Sequence, residues 1–416
     1  MTRSHASLVV GLVSGSHVVN HAYLLLFPPA FTLLSADLGA SLADLGLAVG
    51  VVSLVVTAGQ LPLGYVSDSY SHAAVLLGSL SVGTLGCAMA AVAPTYEWLL
   101  VAAAVMGLGV AGHHPAHYPL ISAAVPDAYR SRAYSAHGFT GAVGLAVPFA
   151  VVSASLALGF GWRSAFGAIA LFGALYTAVA AVTVRRVPAS IARAGARSSD
   201  GSPPESLGGP DSVSERLRSA GARLLAYGRS VVESPIILLL TTLWFVNSVA
   251  AWGIRTYAAT LLDSGYGLAA EPANLVASVM LVVGAVILLG GGYVADRTGP
   301  LPLLYVGYGS LVVLAAVLSS VVLPVVAAVG LVLLLAATID LSRPARSTLT
   351  DLASERGDVG KNFALMTVGI SAGGAVAPPV FGYLIETSGV GVAFVGVAAT
   401  AAVALVLSIL LARRLG

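Results

Sequence analysis

Charge is what this sequence has least of. Of 416 residues only 9% are Asp, Glu, Lys or Arg, against about 25% in an ordinary soluble protein. A soluble fold of this size needs far more polar side chains to cover its surface. Lysine is nearly absent: Lys361 is the single example, and arginine supplies the other basic side chains. The formal net charge of +2 is too small to suggest a nucleic-acid partner. One cysteine, Cys87, excludes an intramolecular disulfide, and its apolar neighbours read it as a small core residue rather than a reactive thiol. No Gly-x-x-x-x-Gly-Lys-Ser/Thr stretch occurs, so ATP is not the driver. No paired acids or metal triad supports a membrane enzyme or a receptor, and nothing implies a cofactor.

What is there is apolar sequence. Hydrophobic residues make up 57% of the chain, and the mean hydropathy is +0.93. A membrane-spanning helix needs about 20 mainly apolar residues. Twelve segments meet this: 7–34, 42–66, 73–93, 98–124, 131–158, 162–184, 235–262, 272–294, 301–323, 325–351, 361–385 and 392–413. The first is too long for a cleaved signal, whose apolar core is about 7–15 residues, and reads as a retained span despite Pro28-Pro29. Short connections suit antiparallel neighbours. The expected fold class is an all-α membrane protein with lipid bilayer around it.

The exception to short connections runs over 185–233. Ser198-Ser199-Asp200-Gly201-Ser202-Pro203-Pro204 reads as a flexible linker. Val213, Leu217, Leu224 and Tyr227 then recur at helical spacing among Arg216, Arg218, Arg223 and Arg229. That pattern suits a basic amphipathic helix on the membrane surface, or a solvated helix. The expected division is 1–184, a six-helix bundle; 185–233, a cytoplasmic linker; and 234–416, a second bundle. Basic residues set orientation by their excess on the cytoplasmic side. With both termini inside, Arg130, Arg132, Arg185, Arg186, Arg193, Arg197, Arg297, Arg356, Lys361, Arg413 and Arg414 fall inside, and only Arg163 lies in an outer loop. The cytoplasmic membrane is the expected location.

The two halves repeat. Gly64-Tyr65-Val66-Ser67-Asp68 ends span 2 and Gly292-Tyr293-Val294-Ala295-Asp296 ends span 8. His114-Pro115-Ala116-His117 in span 4 matches Arg343-Pro344-Ala345-Arg346 in span 10, and Gly144 and Pro148 in span 5 match Gly374 and Pro378 in span 11. The three offsets lie between 228 and 230. Parallel six-helix repeats are a known transporter architecture. The chain resembles the major facilitator superfamily, whose loop motif of Gly, three residues, Asp, a basic residue, one residue and Gly is met by Gly292, Asp296, Arg297 and Gly299. The first copy keeps Gly64 and Asp68 but has Ser69 and Ser71 in place of the basic residue and the second Gly. Gly138, Gly141, Gly144 and Pro148 are similar to the family's Gly-rich antiporter motif. Within the superfamily, Ser16-His17-Val18-Val19-Asn20 and His114-Pro115 resemble the fosmidomycin-resistance group, with Ala116 where that group usually has Glu. The resemblance implies two bundles rocking about a central cavity. It also implies that Asp68 and Asp296 act as latches at the starts of spans 11 and 5, near Asn362 and Arg132, with Arg297 beside the second.

Ionisable groups in a bilayer are costly and therefore candidates for function. His17, Asn20 and His21 share one face of span 1; they suit substrate or proton binding, or an interhelical hydrogen bond. His113, His114, His117 and His137 suit proton transfer near neutral pH. They equally suit satisfaction of the carbonyls that Pro115 frees. A metal shared by the i, i+4 histidines lacks an evident third ligand, so no metal is expected. In span 7, Trp244, Asn247, Ala251 and Arg255 share a face, and the repeat sets Asn247 opposite His17. Arg255 suits an anionic group or snorkels to the outer surface. Trp252 and Tyr257 read as interfacial belt residues. Asp340, the one carboxylate well inside a span, suits proton coupling or an i, i+3 pair with Arg343.

The expected activity is alternating-access transport of a small molecule driven by a proton or other ion gradient, by a monomer. Proton-coupled export of an anionic or drug-like compound is one reading. Uptake of a metabolite or organic anion is the other, because fold decides neither direction nor substrate.

Overall fold

The computed structural model describes residues 3–193, 234–354 and 359–415. The amphipathic stretch after Pro204 lies outside the described residues. Eleven helices are long and apolar enough to cross a membrane, and a bent pair makes a twelfth span. Only helices satisfy every backbone group within one segment in lipid, and the described spans are all helices.

Span 1 is not one helix. Arg3–Leu24 ends before the tight turn Pro28–Ala30, and Phe31–Leu38 continues at 42°. Pro28 and Pro29 lack the N–H groups that an unbroken helix needs, which corrects the single helix read over 7–34. Spans 2 to 6 are Leu42–Ser69, His72–Ala91, Tyr96–Ala124, Asp127–Ala157 and Trp162–Val184. Spans 7 to 12 are Pro235–Thr260, Ala270–Thr298, Pro300–Ser319, Val325–Leu352, Val359–Ser388 and Val390–Leu415, the seventh extended by a wider turn over Leu261–Gly265. Polar caps start several. Ser41 and Asp44 form a reciprocal capping box on span 2, and Ser71 and Thr95 cap spans 3 and 4.

Spans 1 and 3 to 6 pack together, as do spans 7, 9, 10 and 12; span 2 packs on both 4 and 11, and span 8 on both 5 and 10. The pairs 2–11 and 5–8 therefore join the halves. The end of the molecule that carries 185–233 is termed the linker end here, and the opposite end the far end.

Close contact between the halves sits at the far end. Asn274 donates to the Pro29 carbonyl at 2.9 Å, Ser153 to that of Glu271 at 2.9 Å, Ser278 to that of Ala146 at 3.1 Å and Tyr257 to that of Leu42 at 3.4 Å. Tyr257 also donates to the Pro378 carbonyl at 2.6 Å and is 1% exposed. It belongs to the seal, and the belt reading of Tyr257 is corrected. Buried Trp252 packs on Gly374 and is corrected with it. The approach depends on glycine: a Cβ on Gly46 would meet the Tyr257 hydroxyl at 2.7 Å, and one on Gly50 the Ala375 carbonyl at 2.6 Å. Pro379 has no N–H for that carbonyl, so helix 11 turns an unsatisfied oxygen toward span 2.

Candidate functional site

Six histidines from three spans converge in the first half. His17 and His21 lie on span 1, His113, His114 and His117 on span 4, and His137 on span 5. The His17 ring stacks on His137 at 4.0 Å, meets His21 edge-on at 4.0 Å, and lies 5.2 to 5.6 Å from His113, His114 and His117. Gly141 makes room for this, since a Cβ there would overlap the His17 ring. His113 and His117 are fully buried, and neither of their ring nitrogens has a protein partner. Asn20 is buried beside His17 in sequence, and neither its amide oxygen nor its nitrogen is bonded. Helical spacing groups these residues in pairs; only the packing of spans 1, 4 and 5 makes them one cluster.

The polar residues of the second half form an antiparallel ladder between spans 7 and 10. Trp244 donates to Thr350 at 3.2 Å. The Arg346 guanidinium lies 4.2 Å over the Trp244 ring and, with the Asn247 amide oxygen turned toward it, donates to that oxygen at 3.1 Å. Further toward the far end, Arg255 pairs with Asp340 at 3.0 Å, both largely buried.

Three readings from sequence change here. Asp340 pairs with Arg255 and not with Arg343, because the antiparallel neighbour reaches it face to face. Arg255 is neither a free anion seat nor a snorkelling residue, since its charge is already met. Asn247 faces Arg346 within its own half rather than His17 across the repeat axis. Arg346 is the residue that sequence reading missed. It is 2% exposed and has no carboxylate partner among the described residues. Its signal was the match of Arg346 to His117 in the repeat.

Arg343 differs from Arg255 and Arg346, the other two cations deep in the second half. It is exposed, with no hydrogen bond or ion pair to its side chain among the described residues. Its charge acts on His21, His114 and Tyr118 of the first half. It lies 18 residues into span 10, and its repeat partner His114 lies 18 residues into span 4. At about 1.5 Å per residue both sit well inside the bilayer. Tyr118 is 49% exposed and Arg343 is exposed at this depth, whereas the halves touch at the far end.

Of the expected latch residues, Asp68 is exposed at the linker end of span 2. The Asp296 side chain is outside the described residues. Arg132 lies 5.9 Å from the Tyr129 ring and Arg297 4.3 Å from the Tyr293 ring, both exposed. Asn362 is buried and donates to Ser354 at 2.9 Å.

The family model described as Major Facilitator Superfamily matches residues 13–355. The chain is 29% identical over 160 residues to the niacin transporter NiaP of Acinetobacter baylyi, covering 38% of the chain and 35% of that protein. It is 35% identical over 146 residues to a probable 4-methylmuconolactone transporter of Cupriavidus pinatubonensis, covering 33% and 32%. It is 26% identical over 291 residues to the uncharacterized MFS-type transporter YbcL of Bacillus subtilis, covering 68% and 65%. The matches thus span about a third of the first two relatives and just under two thirds of the third. Among solved structures, the chain is similar to a bacterial homolog of the human lysosomal transporter Spinster. The inward-facing unoccupied form gives a TM-score of 0.79 at 14% identity, covering 99% of this chain and 98% of that one. The inward-facing occupied form gives 0.78 over the same shares.

Proposed function

The chain belongs to the Major Facilitator Superfamily, and from that premise we propose that it takes up a small organic acid together with a proton by alternating access. The observation that carries the reading is Arg343. An exposed guanidinium deep in a span, with no acid partner among the described residues, is a seat for a carboxylate, which it can hold by two parallel hydrogen bonds. Asp340, one turn away, does not compete because Arg255 holds it. His114 and Tyr118 of the other half, on which the Arg343 charge acts, supply neutral donors. The names of two relatives, for niacin and for 4-methylmuconolactone, both denote small organic acids and support this class.

Proton coupling follows from charge. An anion entering a cell works against the interior-negative potential at about 2.3 kcal/mol per 100 mV; a proton carried with it cancels that cost. Asp340 is the proposed acceptor: protonated, it lets go of Arg255 and loosens spans 7 and 10. Both termini and the linker face the cytoplasm on this reading, as the arginine distribution supports, so the described state is open inward. The two six-helix bundles rock, Asp68 and Asp296 close the linker end against the starts of spans 11 and 5, and the monomer is the working unit in the cytoplasmic membrane. Export rests on the likeness to the fosmidomycin-resistance group alone, and no contact in the site favours it.

The test is uptake of labelled nicotinate and other small carboxylates into proteoliposomes under an imposed proton gradient. Accumulation that collapses with a protonophore and is lost in Arg343→Gln supports the reading. Accumulation of no carboxylate under either gradient direction, by protein that binds none of them, overturns it.

A further inference from the structure

The hydrogen bonds of His17 and His21 fix where their Nδ1 protons lie. His17 Nδ1 lies 2.8 Å from the His137 carbonyl oxygen, and His21 Nδ1 lies 2.9 Å from that of Gly141. A carbonyl oxygen only accepts, so both Nδ1 atoms carry the hydrogen. In neutral imidazoles both Nε2 atoms are then lone pairs, yet they face each other at 2.8 Å. Two lone pairs at that distance repel unless a cation sits between or beside them, either a proton that makes one ring an imidazolium donating to the other or a metal ion; retention of metal decides between the two. Holding Nδ1–H on a backbone carbonyl while Nε2 is left bare is also how proteins prepare histidine to bind a metal.

A third nitrogen is in place. Ligand atoms of His17, His21 and His114 all lie within 4.8 Å of one another, and His114 Nδ1 has no protein partner. Span 4 alone offers no such triad; the fold brings two of the three ligands from span 1. Metal–nitrogen bonds of about 2.0–2.1 Å put ligands at a right angle about 2.9 Å apart and tetrahedral ones about 3.3 Å apart. The His17–His21 spacing fits the right angle, which suits square-planar or octahedral cations.

We infer that His17, His21 and His114 form a binding site for a late first-row transition-metal dication of the Ni²⁺ or Cu²⁺ kind, open on the side that faces Arg343. His17 is buried, whereas His21 and His114 are partly exposed toward the space between the halves. The second half offers the triad no counter-charge among the described residues: Arg343, whose charge acts on it, is positive, and Asp340 is bound to Arg255. The free coordination positions therefore take an anion, and a carboxylate bridging metal and Arg343 neutralises both. The metal site stands without the uptake reading; the bridging carboxylate rests on it.

The experiment uses the full purified chain with a histidine-free tag, dialysed against NiCl₂, CuSO₄ or ZnCl₂ and analysed by mass spectrometry of bound metal. About one Ni²⁺ or Cu²⁺ per chain is expected, at least tenfold weaker in His114→Gln and in His17→Gln, with imidazole nitrogens alone from the protein in X-ray absorption. Retention equal in wild type and His114→Gln, or no retention by the folded wild type, overturns the site. Partly exposed His114 keeps the test open if His17→Gln fails to fold. Tight Zn²⁺ binding with rejection of Ni²⁺ and Cu²⁺ overturns the geometry assigned to it. Nicotinate affinity is measured in parallel with metal and after chelation. Tightening by metal, lost in Arg343→Gln, supports the bridge, and unchanged affinity in metal-loaded protein overturns it. Arg343-dependent nicotinate binding by folded protein that retains none of the three metals on dialysis overturns the metal site and leaves the uptake reading intact.

Discussion

Arg255 and Asp340 meet at 3.0 Å between spans 7 and 10, and by doing so they leave Arg343 without an acid. Taking one partner from a buried pair strands the other charge and costs about 3–5 kcal/mol. Arg255→Met and Asp340→Leu alone should each therefore destabilise more than the two replacements together. Thermal unfolding of the singles and the double closes the cycle; additive effects would mean that the pair is not coupled. Asp340→Asn should in addition remove the dependence of uptake on the proton gradient while leaving exchange of internal for external substrate.

Arg343 should set affinity for the anion. Charge-assisted hydrogen bonds contribute about 1.5–3 kcal/mol, so Arg343→Gln should weaken carboxylate binding by about 10- to 100-fold. Arg343→Lys keeps the charge but not the planar fork and should fall between. Calorimetry with nicotinate reads both, and equal affinities in all three proteins would remove Arg343 from the site.

The far-end seal should open when its glycine or its tyrosine is changed. Gly46→Leu puts a side chain where the Tyr257 hydroxyl and the Pro378 carbonyl lie. Tyr257→Phe removes neutral hydrogen bonds of about 0.5–1.5 kcal/mol each. A thiol introduced by Ser53→Cys, at a position buried below the seal, reports on it, and native Cys87 is buried and adds little background. Labelling of that introduced thiol by an impermeant maleimide should rise in both variants, more in Gly46→Leu. Labelling unchanged from the parent would show that the halves hold together elsewhere.

Arg346 is a buried charge without a carboxylate, and its contacts are the Trp244 ring and Asn247. Removing an unneutralised buried charge while keeping the volume is neutral or stabilising. Arg346→Met should keep or raise the melting temperature, and Arg346→Ala should lower it by leaving a cavity. A large loss in Arg346→Met would reveal an anionic partner that the described residues do not include.

The span count was legible because apolar runs of spanning length are separated by short polar joints, and the parallel repeat because three motifs recur at one offset. The break in span 1 was written in Pro28-Pro29 but was outweighed by an apolar run that continued past it. The site was harder to read for a physical reason. Helical periodicity tells which residues of one span share a face, but not which face of another span it meets. His17 with His21, and His113 with His117, were therefore visible as pairs, while their union with His137 was not. For the same reason Asp340 was matched with Arg343 on its own helix. Arg346 lay inside a recognised repeat and was passed over because its partner is an aromatic ring rather than an acid.

The four far-end hydrogen bonds between the halves share a property: each acceptor is a backbone carbonyl, at Pro29, Leu42, Ala146 and Glu271. None involves an ion pair, so each contributes about 1 kcal/mol and is indifferent to ionic strength. A lock of this kind is shallow. Its total is comparable with the roughly 5.5 kcal/mol by which a ligand reverses a 99:1 preference. In the proposed transport cycle, the differential binding of one molecule is therefore enough to offset these four bonds.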